Sequence, residues 1–529
     1  MVYQFQLNLQ QRAAFSFAIA LWEKEEVIAM MKKFFEFGGF NRKTNSIFDW
    51  QQLINVVINL WDKSVLPPKL AEEVENILEA LGRKIYRWYQ YLGKGDQLHL
   101  RTDKEVLDLI LPIYWTPHGT IDEIEIFKSS WLKKKTIKPS ALYNTACKLA
   151  LEQYIEALWQ IVPINIQKNY SQILYLENYY DQHLLAYWKY CRDGKLEELN
   201  DYFSFVMRKS QRNGQLKSSP PFVPSYSVDE NMLRTSIYLK NSVAMTYFWN
   251  KLSEEKKNEN IVDCARTAVR YYVAYCERNP IDGYEIEKYI EMCLFLVNQM
   301  TTSQKKLFFN TSSVSSSSLF CVPFARSGMK SAFLAMLASS WPWQEFFIPF
   351  LNDIQEYLEL DSQAVFEILS SITWTMEMRH DQKKLKIYGH VEQNNSKYQS
   401  LLQAAWGSIP GSSKQKVEDT MLDVMLRNLL KIWDLDSIKM IFNDRDIAPV
   451  RMQYLECGKE IFKEWIINGE YKLFDQFMQE IMISDDEKKF IKDSMDHIEL
   501  GNYFIRRRCF DLLAKFLNWK CQEIDKEKK

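Results

Sequence analysis

Five places in this 529-residue chain carry the same local pattern, an apolar helical end, a turn residue and an apolar helical start. The turn residues are Gly194, Asn241, Asp436, Gly469 and Arg508. Two residues past the turn stand Leu196, Val243, Ile438, Tyr471 and Phe510, and five past it Leu199, Thr246, Ile441, Phe474 and Leu513. Eight past come Tyr202, Trp249, Phe477 and Phe516, with Asp444 as the exception. Offsets of this kind lay one stripe of a helix on a core. Upstream, Tyr190, Ile237, Ile432, Trp465 and Phe504 bring an apolar helix end into the turn. Gly, Asn and Asp tolerate the left-handed backbone that ends a helix, and Arg508 departs from that pattern. One such pair cannot bury its apolar face alone, so pairs must stack. The fold expected is all-α, an elongated α-solenoid of antiparallel helix pairs.

The rest of the chain fits that reading. From Gln10 to Leu92 apolar residues recur at helical spacing, as in Trp50, Leu53, Ile54 and Val57, or Leu70, Val74, Ile77 and Leu78. Pro67 and Pro68 precede the second set, where proline suits a first helical turn. Three or four antiparallel helices are expected there, and Ser140 to Val162 reads as a further helical stretch. Alternating β-branched strands are absent from the pattern. Two segments read as breaks: Gln211 to Ser227, and Thr301 to Ser318 with its serine run. The expected organisation is an N-terminal helical domain over 1–165, helical repeats over 166–300, a Ser-rich loop or linker over 301–330, and C-terminal repeats over 331–529.

The turns at Asp193-Gly194-Lys195-Leu196 and Asn468-Gly469-Glu470-Tyr471 resemble ankyrin repeats, and the 33-residue interval from Asp436 to Gly469 is the ankyrin period. The other intervals are 39, 47 and 195 residues. The resemblance implies a divergent member: Thr116-Pro117-His118 only echoes the Thr-Pro-Leu-His opening, and ankyrin's small alanines are replaced by Tyr190, Ile237, Ile432, Trp465 and Phe504. Along its whole length the chain is also similar to a large uncharacterised arthropod family, expanded in spiders. That similarity lies in Ala13-Ala14-Phe15-Ser16-Phe17-Ala18, Leu66-Pro67-Pro68-Lys69-Leu70 and Phe248-Trp249-Asn250-Lys251-Leu252-Ser253-Glu254-Glu255. It implies no activity.

Composition excludes several classes. Hydrophobic residues make up 47% and the 67 basic residues balance 68 acidic ones, a folded chain without a field to draw in nucleic acid. The short basic clusters Lys133-Lys134-Lys135 and Arg506-Arg507-Arg508 do not change that balance. Nine scattered cysteines set among apolar neighbours point to buried thiols and a reducing, cytoplasmic compartment. The apolar run Ala13 to Trp22 is far too short to span a bilayer, although its resemblance to a signal-peptide core keeps secretion open.

Local chemistry is sparse. His99, His118, His183, His380, His390 and His497 lack the four-residue spacing of paired helical ligands, and there is no Cys-x-x-Cys. Gly93-Lys94-Gly95 lacks the spacing of a phosphate loop, and Gly407-Ser408-Ile409-Pro410-Gly411 does not centre its serine as a nucleophile elbow requires. No catalytic, cofactor or metal residue is expected. The function expected is that of a non-enzymatic scaffold taking a protein or peptide partner on a concave helical surface; the alternative is an enzyme or effector whose site only the fold assembles.

Overall fold

The computed structural model describes residues 7–38, 45–93, 113–132, 137–172, 182–204, 223, 225–278, 284–310, 329–357, 369–370, 372–373, 396–409, 411–415, 419–482, 484–494, 497–507 and 509–527. Among these residues the chain is all-α, and its extended pairing is an isolated antiparallel bridge between Trp115 and Ile121. Two compact units divide at Phe346 and Phe347. The expected segments 1–165 and 166–300 both fall in the first unit, and 311–328 of the Ser-rich stretch lies outside the described residues.

The first unit opens with Leu9–Trp22 (α1), Glu25–Gly38 (α2), Asn45–Ile58 (α3) and Pro68–Gly93 (α4). Asn8 starts α1 by accepting from the Gln11 N–H while the Gln11 side chain returns to the Asn8 N–H, which satisfies two otherwise orphaned donors. Pro68 begins α4, where its missing N–H leaves no bond unmade. α1 and α3 both pack on α4. Trp22 stacks on Trp50 at 6.0 Å, and their indole N–H groups donate to the carbonyls of Leu78 and Gly82 in α4. Tryptophan buries a large apolar surface here while its one donor finds a backbone acceptor.

Glu123–Leu132 (α5), Pro139–Lys148 (α6), Glu152–Ile161 (α7) and Ile164–Gln172 (α8) follow. The stretch from Ser140 to Val162, expected as one helical segment, is two helices broken at Leu149 to Leu151. Next come Gln182–Arg192 (α9), Val228–Tyr238 (α10), Ser242–Lys251 (α11), Glu254–Arg278 (α12), Tyr284–Gln299 (α13), Thr302–Phe309 (α14) and Met329–Ala338 (α15). A Ser227–Glu230 capping box starts α10. α6 packs on α9, α9 on α10 and α10 on α12, while α11 packs on α13. These first helices therefore lie one on the next, as α11 lies on α13. The helix Gln344–Tyr357 (α16) contains the division between units.

The second unit holds Ser396–Gly407 (α17), the four-residue Gly411–Lys414 (α18), Asp419–Ile432 (α19), Leu435–Phe442 (α20), Arg451–Ile467 (α21), Tyr471–Glu480 (α22), Asp485–Ser494 (α23), His497–Arg506 (α24) and Phe510–Glu527 (α25). α19 packs on α21 and α21 on α24. The second helices meet through rings: Phe442 of α20 against Phe477 of α22 at 6.4 Å, and Tyr471 of α22 stacked on Trp519 of α25 at 5.2 Å. Arg451 fastens successive pairs, with its buried guanidinium donating to the Phe442 and Ile481 carbonyls and to the Glu487 carboxylate. A buried guanidinium is tolerable because nearly all its donors are met.

Candidate functional site

The turns are one geometric device. Gly194 and Gly469 take positive φ of 67° and 76°, and so do Ala150 at 51°, Lys240 at 59° and Trp433 at 58°. Just past each of these, an N–H donates back across the turn: Leu151 to Ala146 O, Lys195 to Tyr190 O, Asn241 to Ser236 O, Asp434 to Leu429 O and Glu470 to Trp465 O, at 2.8–3.1 Å. This six-to-one bond around a left-handed residue satisfies carbonyls that a helix end leaves open. The next helix begins two residues after the left-handed one in every case, at Glu152, Leu196, Ser242, Leu435 and Tyr471.

That geometry resets the sequence register. Gly194 and Gly469 occupy the turn as expected. Asn241 lies one residue beyond it and serves as N-cap, its side chain accepting from the Ala244 N–H at 2.9 Å. Asp436 lies three residues beyond, in the first turn of α20, while Asp434 makes the cap. Both are residue types that helix starts favour as much as turns do, through side-chain acceptance or attraction to the helix dipole. In the observed register the residues five past the turn are Ile155, Leu199, Met245, Ile438 and Phe474, all buried. Eight past are Leu158, Tyr202, Phe248, Ile441 and Phe477, of which only Tyr202 is half-buried. The exceptions Thr246 and Asp444 disappear. Arg508 lies outside the described residues, but Cys509 donates to Phe504 O at 2.9 Å and α25 opens at Phe510, in the same register.

A seam of cations seated on aromatic rings crosses three successive pairs of the first unit. The Arg192 guanidinium lies 3.5 Å from the Trp159 ring centroid and donates to Tyr143 Oη at 3.0 Å. Lys251 lies over Tyr247 and Tyr187 and donates to Tyr187 Oη at 2.9 Å, while Tyr247 donates to Glu152 at 2.9 Å. Trp188 donates its indole N–H to Cys147 O at 3.0 Å. Trp159, Tyr190, Arg192, Tyr202 and Tyr247 are half-buried and Lys251 is exposed, so the seam reaches solvent. Cations held on rings by hydroxyls have little freedom left to lose on binding.

A second polar group is buried. Lys84 and Arg87 of α4 pair with Glu287 of α13, and Lys288 pairs with Glu123 at 3.3 Å and Glu291 at 3.2 Å. Ser242 donates to Glu291 at 2.8 Å. Three cations meet three carboxylates, which keeps the burial tolerable. Burial pulls the Lys84 ammonium below the usual lysine range against the attraction of Glu287. The carboxylates Glu123 and Glu291 lift Lys288 despite its burial. The network ties α4 and α5 to α13.

Four of the thiols are quiet. Burial pushes Cys147, Cys191 and Cys293 up and Cys264 up to about 12, so they stay protonated and weakly nucleophilic. The same cause lifts Tyr143 and Tyr187, leaving neutral hydroxyls suited to hydrogen bonding. Among the described residues no helix is long and apolar enough to cross a membrane, and no His, Cys, Asp and Glu group gathers as metal ligands. His118 sits within the turn closed by the Thr116 N–H donating to Thr120 O, whereas Lys133, Lys134 and Lys135 lie outside the described residues.

No protein-family profile and no curated protein matches this chain. The seam and the buried network escaped the sequence because their partners are far apart along it: 64 residues for Tyr187 and Lys251, 203 for Lys84 and Glu287. No local spacing encodes such pairs. The missed turn at Ala150 likewise carries no glycine, asparagine or aspartate.

Proposed function

We propose that this chain is a non-enzymatic interaction protein, a divergent ankyrin-like α-solenoid whose helix pairs present the seam of Trp159, Arg192, Tyr247 and Lys251 to a protein or peptide partner. One observation carries the reading: the same left-handed turn, with the next helix opening at the same distance, recurs at five described places across both units. Pairs repeated in one register lay neighbouring surfaces side by side, and such arrays serve extended recognition. Half-buried aromatic rings bearing fixed cations are the chemistry of interface hot spots. Burial argues against Cys147, Cys191, Cys264 and Cys293 as nucleophiles.

The test is co-purification of the intact chain with its partner, followed by titration calorimetry on the pair so identified. The double variant Arg192→Glu with Lys251→Glu lowers affinity by about 2 kcal/mol or more, as removal of hot-spot groups does, with an unchanged circular dichroism spectrum. Unaltered affinity in that variant rejects the seam as the contact. Turnover of a small molecule by the purified chain, without any partner, rejects the whole reading.

A further inference from the structure

The four helices α1–α4 hold to one another by different means from those that hold them to the rest of the first unit. Inside this bundle the contacts are apolar: Trp50 stacks on Phe35 and Tyr86 with centroids 5.2 and 5.7 Å apart, and Ile54, Leu78 and Leu81 are fully buried. Where α4 meets α13 the contact is mostly charge. Lys84 and Arg87 both pair with Glu287, and Tyr91 lies against Tyr284 at 5.2 Å. One residue on, Lys288 holds Glu123 of α5 and Glu291. Elsewhere α1 touches the rest of the unit at Phe15, 6.3 Å from Trp115 and 5.5 Å from Trp341, and at Gln11, which donates to Glu345.

A join of this kind is weak for what it buries. Each buried charge has given up its water, and the attraction that replaces it returns about as much, so an ion pair here adds less than an apolar pair of the same size would. The replacement is also incomplete: Glu287 Oε1 is buried without a hydrogen bond from any described residue, with Arg87 standing 3.6 Å away. Water would satisfy that oxygen and the charges around it as soon as α4 moved off. Polar joins between bodies of one chain are the ones that open. We propose that α1–α4 form a releasable cover on α13: the bundle lifts away as a folded body, parting Lys84 and Arg87 from Glu287, while the helix pairs beneath stay formed. Its apolar core is common to both states and only the charged join is broken. The inference does not depend on the seam.

Lys84 and Lys288 are both buried while the cover is on, so brief acylation of the full chain by an amine-reactive ester, mapped by mass spectrometry, reads its release. Alkylation of the buried thiols Cys147 and Cys264 reads opening of the helix pairs, each rate being scaled to that of the urea-unfolded chain. The two lysines are expected to be less protected than the thiols by about tenfold or more, while the backbone amides of α1 and α3 stay protected from hydrogen exchange. Glu287→Gln removes the carboxylate that Lys84 and Arg87 share, and raises acylation of Lys288 by about tenfold with the thiols unmoved. Lys84→Met with Glu287→Met, an apolar pair of similar size, lowers it below the wild-type value. Lysines as well protected as the thiols, amides of α1 and α3 that exchange along with the lysines, or an apolar pair that leaves Lys288 as reactive as before overturns the proposal. Should either variant fail to fold, the wild-type comparison of lysines, thiols and amides decides by itself.

Discussion

The turns at Trp433 and Gly469 belong to neighbouring pairs of the second unit and share one geometry, yet their residues could hardly differ more. At Gly469 the backbone takes φ of 76° with no Cβ in the way; at Trp433 a bulky side chain is held at 58°. A non-glycine residue bears about 1–2 kcal/mol in that conformation. The Trp433 ring contacts Trp465, four residues ahead of the neighbouring turn, with centroids 4.9 Å apart. Packing therefore repays the strain in one turn, while the other avoids it. The lesson is that packing around the turn, not the turn residue alone, holds this geometry.

The largest effect should come from breaking the ring that joins the two turns. Trp465→Ala removes a buried indole and its support of Trp433, and is expected to cost about 3–5 kcal/mol in urea unfolding. A loss below a third of that shows that Trp433 does not depend on it. Next in size, Gly469→Ala should cost about 1–2 kcal/mol, since the new methyl is strained by the backbone and meets Leu512 at 3.3 Å. Gly194→Ala meets nothing within 4 Å, so the backbone contribution alone, about 1 kcal/mol, is expected. Equal losses at the two glycines would mean that the neighbour yields freely.

Lys240→Gly runs the comparison in reverse. Relief of strain, set against the loss of the half-buried pair with Glu285 at 2.7 Å, should leave a gain of about 0.5 kcal/mol. A clear loss of stability would assign that turn's geometry to the ion pair. The smallest effect is one of pH and concerns the Trp433 pair alone. Burial alone would raise Asp444, but hydrogen bonds from Lys414, the Asp446 N–H and Trp406 lower it below its ordinary 3.8. Because the folded value is the lower one, its contribution is complete above the unfolded value and fades as pH falls through the folded one. Asp444→Asn should flatten that acid limb of the melting profile; an unchanged limb assigns it to other carboxylates.

How far the fold could be read ahead of the coordinates depended on where each signal sits. Apolar spacing along one helix is local, so the helices around Trp50, Leu78, Leu199 and Phe474 were legible. Glycine has a local reason to turn left-handed, so Gly194 and Gly469 were found in place. Asn241 and Asp436 misled because the same side chains that suit a turn also cap or begin the next helix. Nothing in the neighbourhood of Ala150 announces a turn.

By itself the amino-acid order determined that the chain is helical, that its helices bury one stripe, and that two turns fall on glycine. Only the tertiary structure decided that Ala150, Lys240 and Trp433 adopt the same turn, that Arg192 and Lys251 sit on rings from neighbouring pairs, and that Lys84 meets Glu287 inside. The physical reason is range. Periodicity and backbone freedom act within one or two helical turns, whereas strain is tolerated and charge is buried only where distant helices supply the compensating contact.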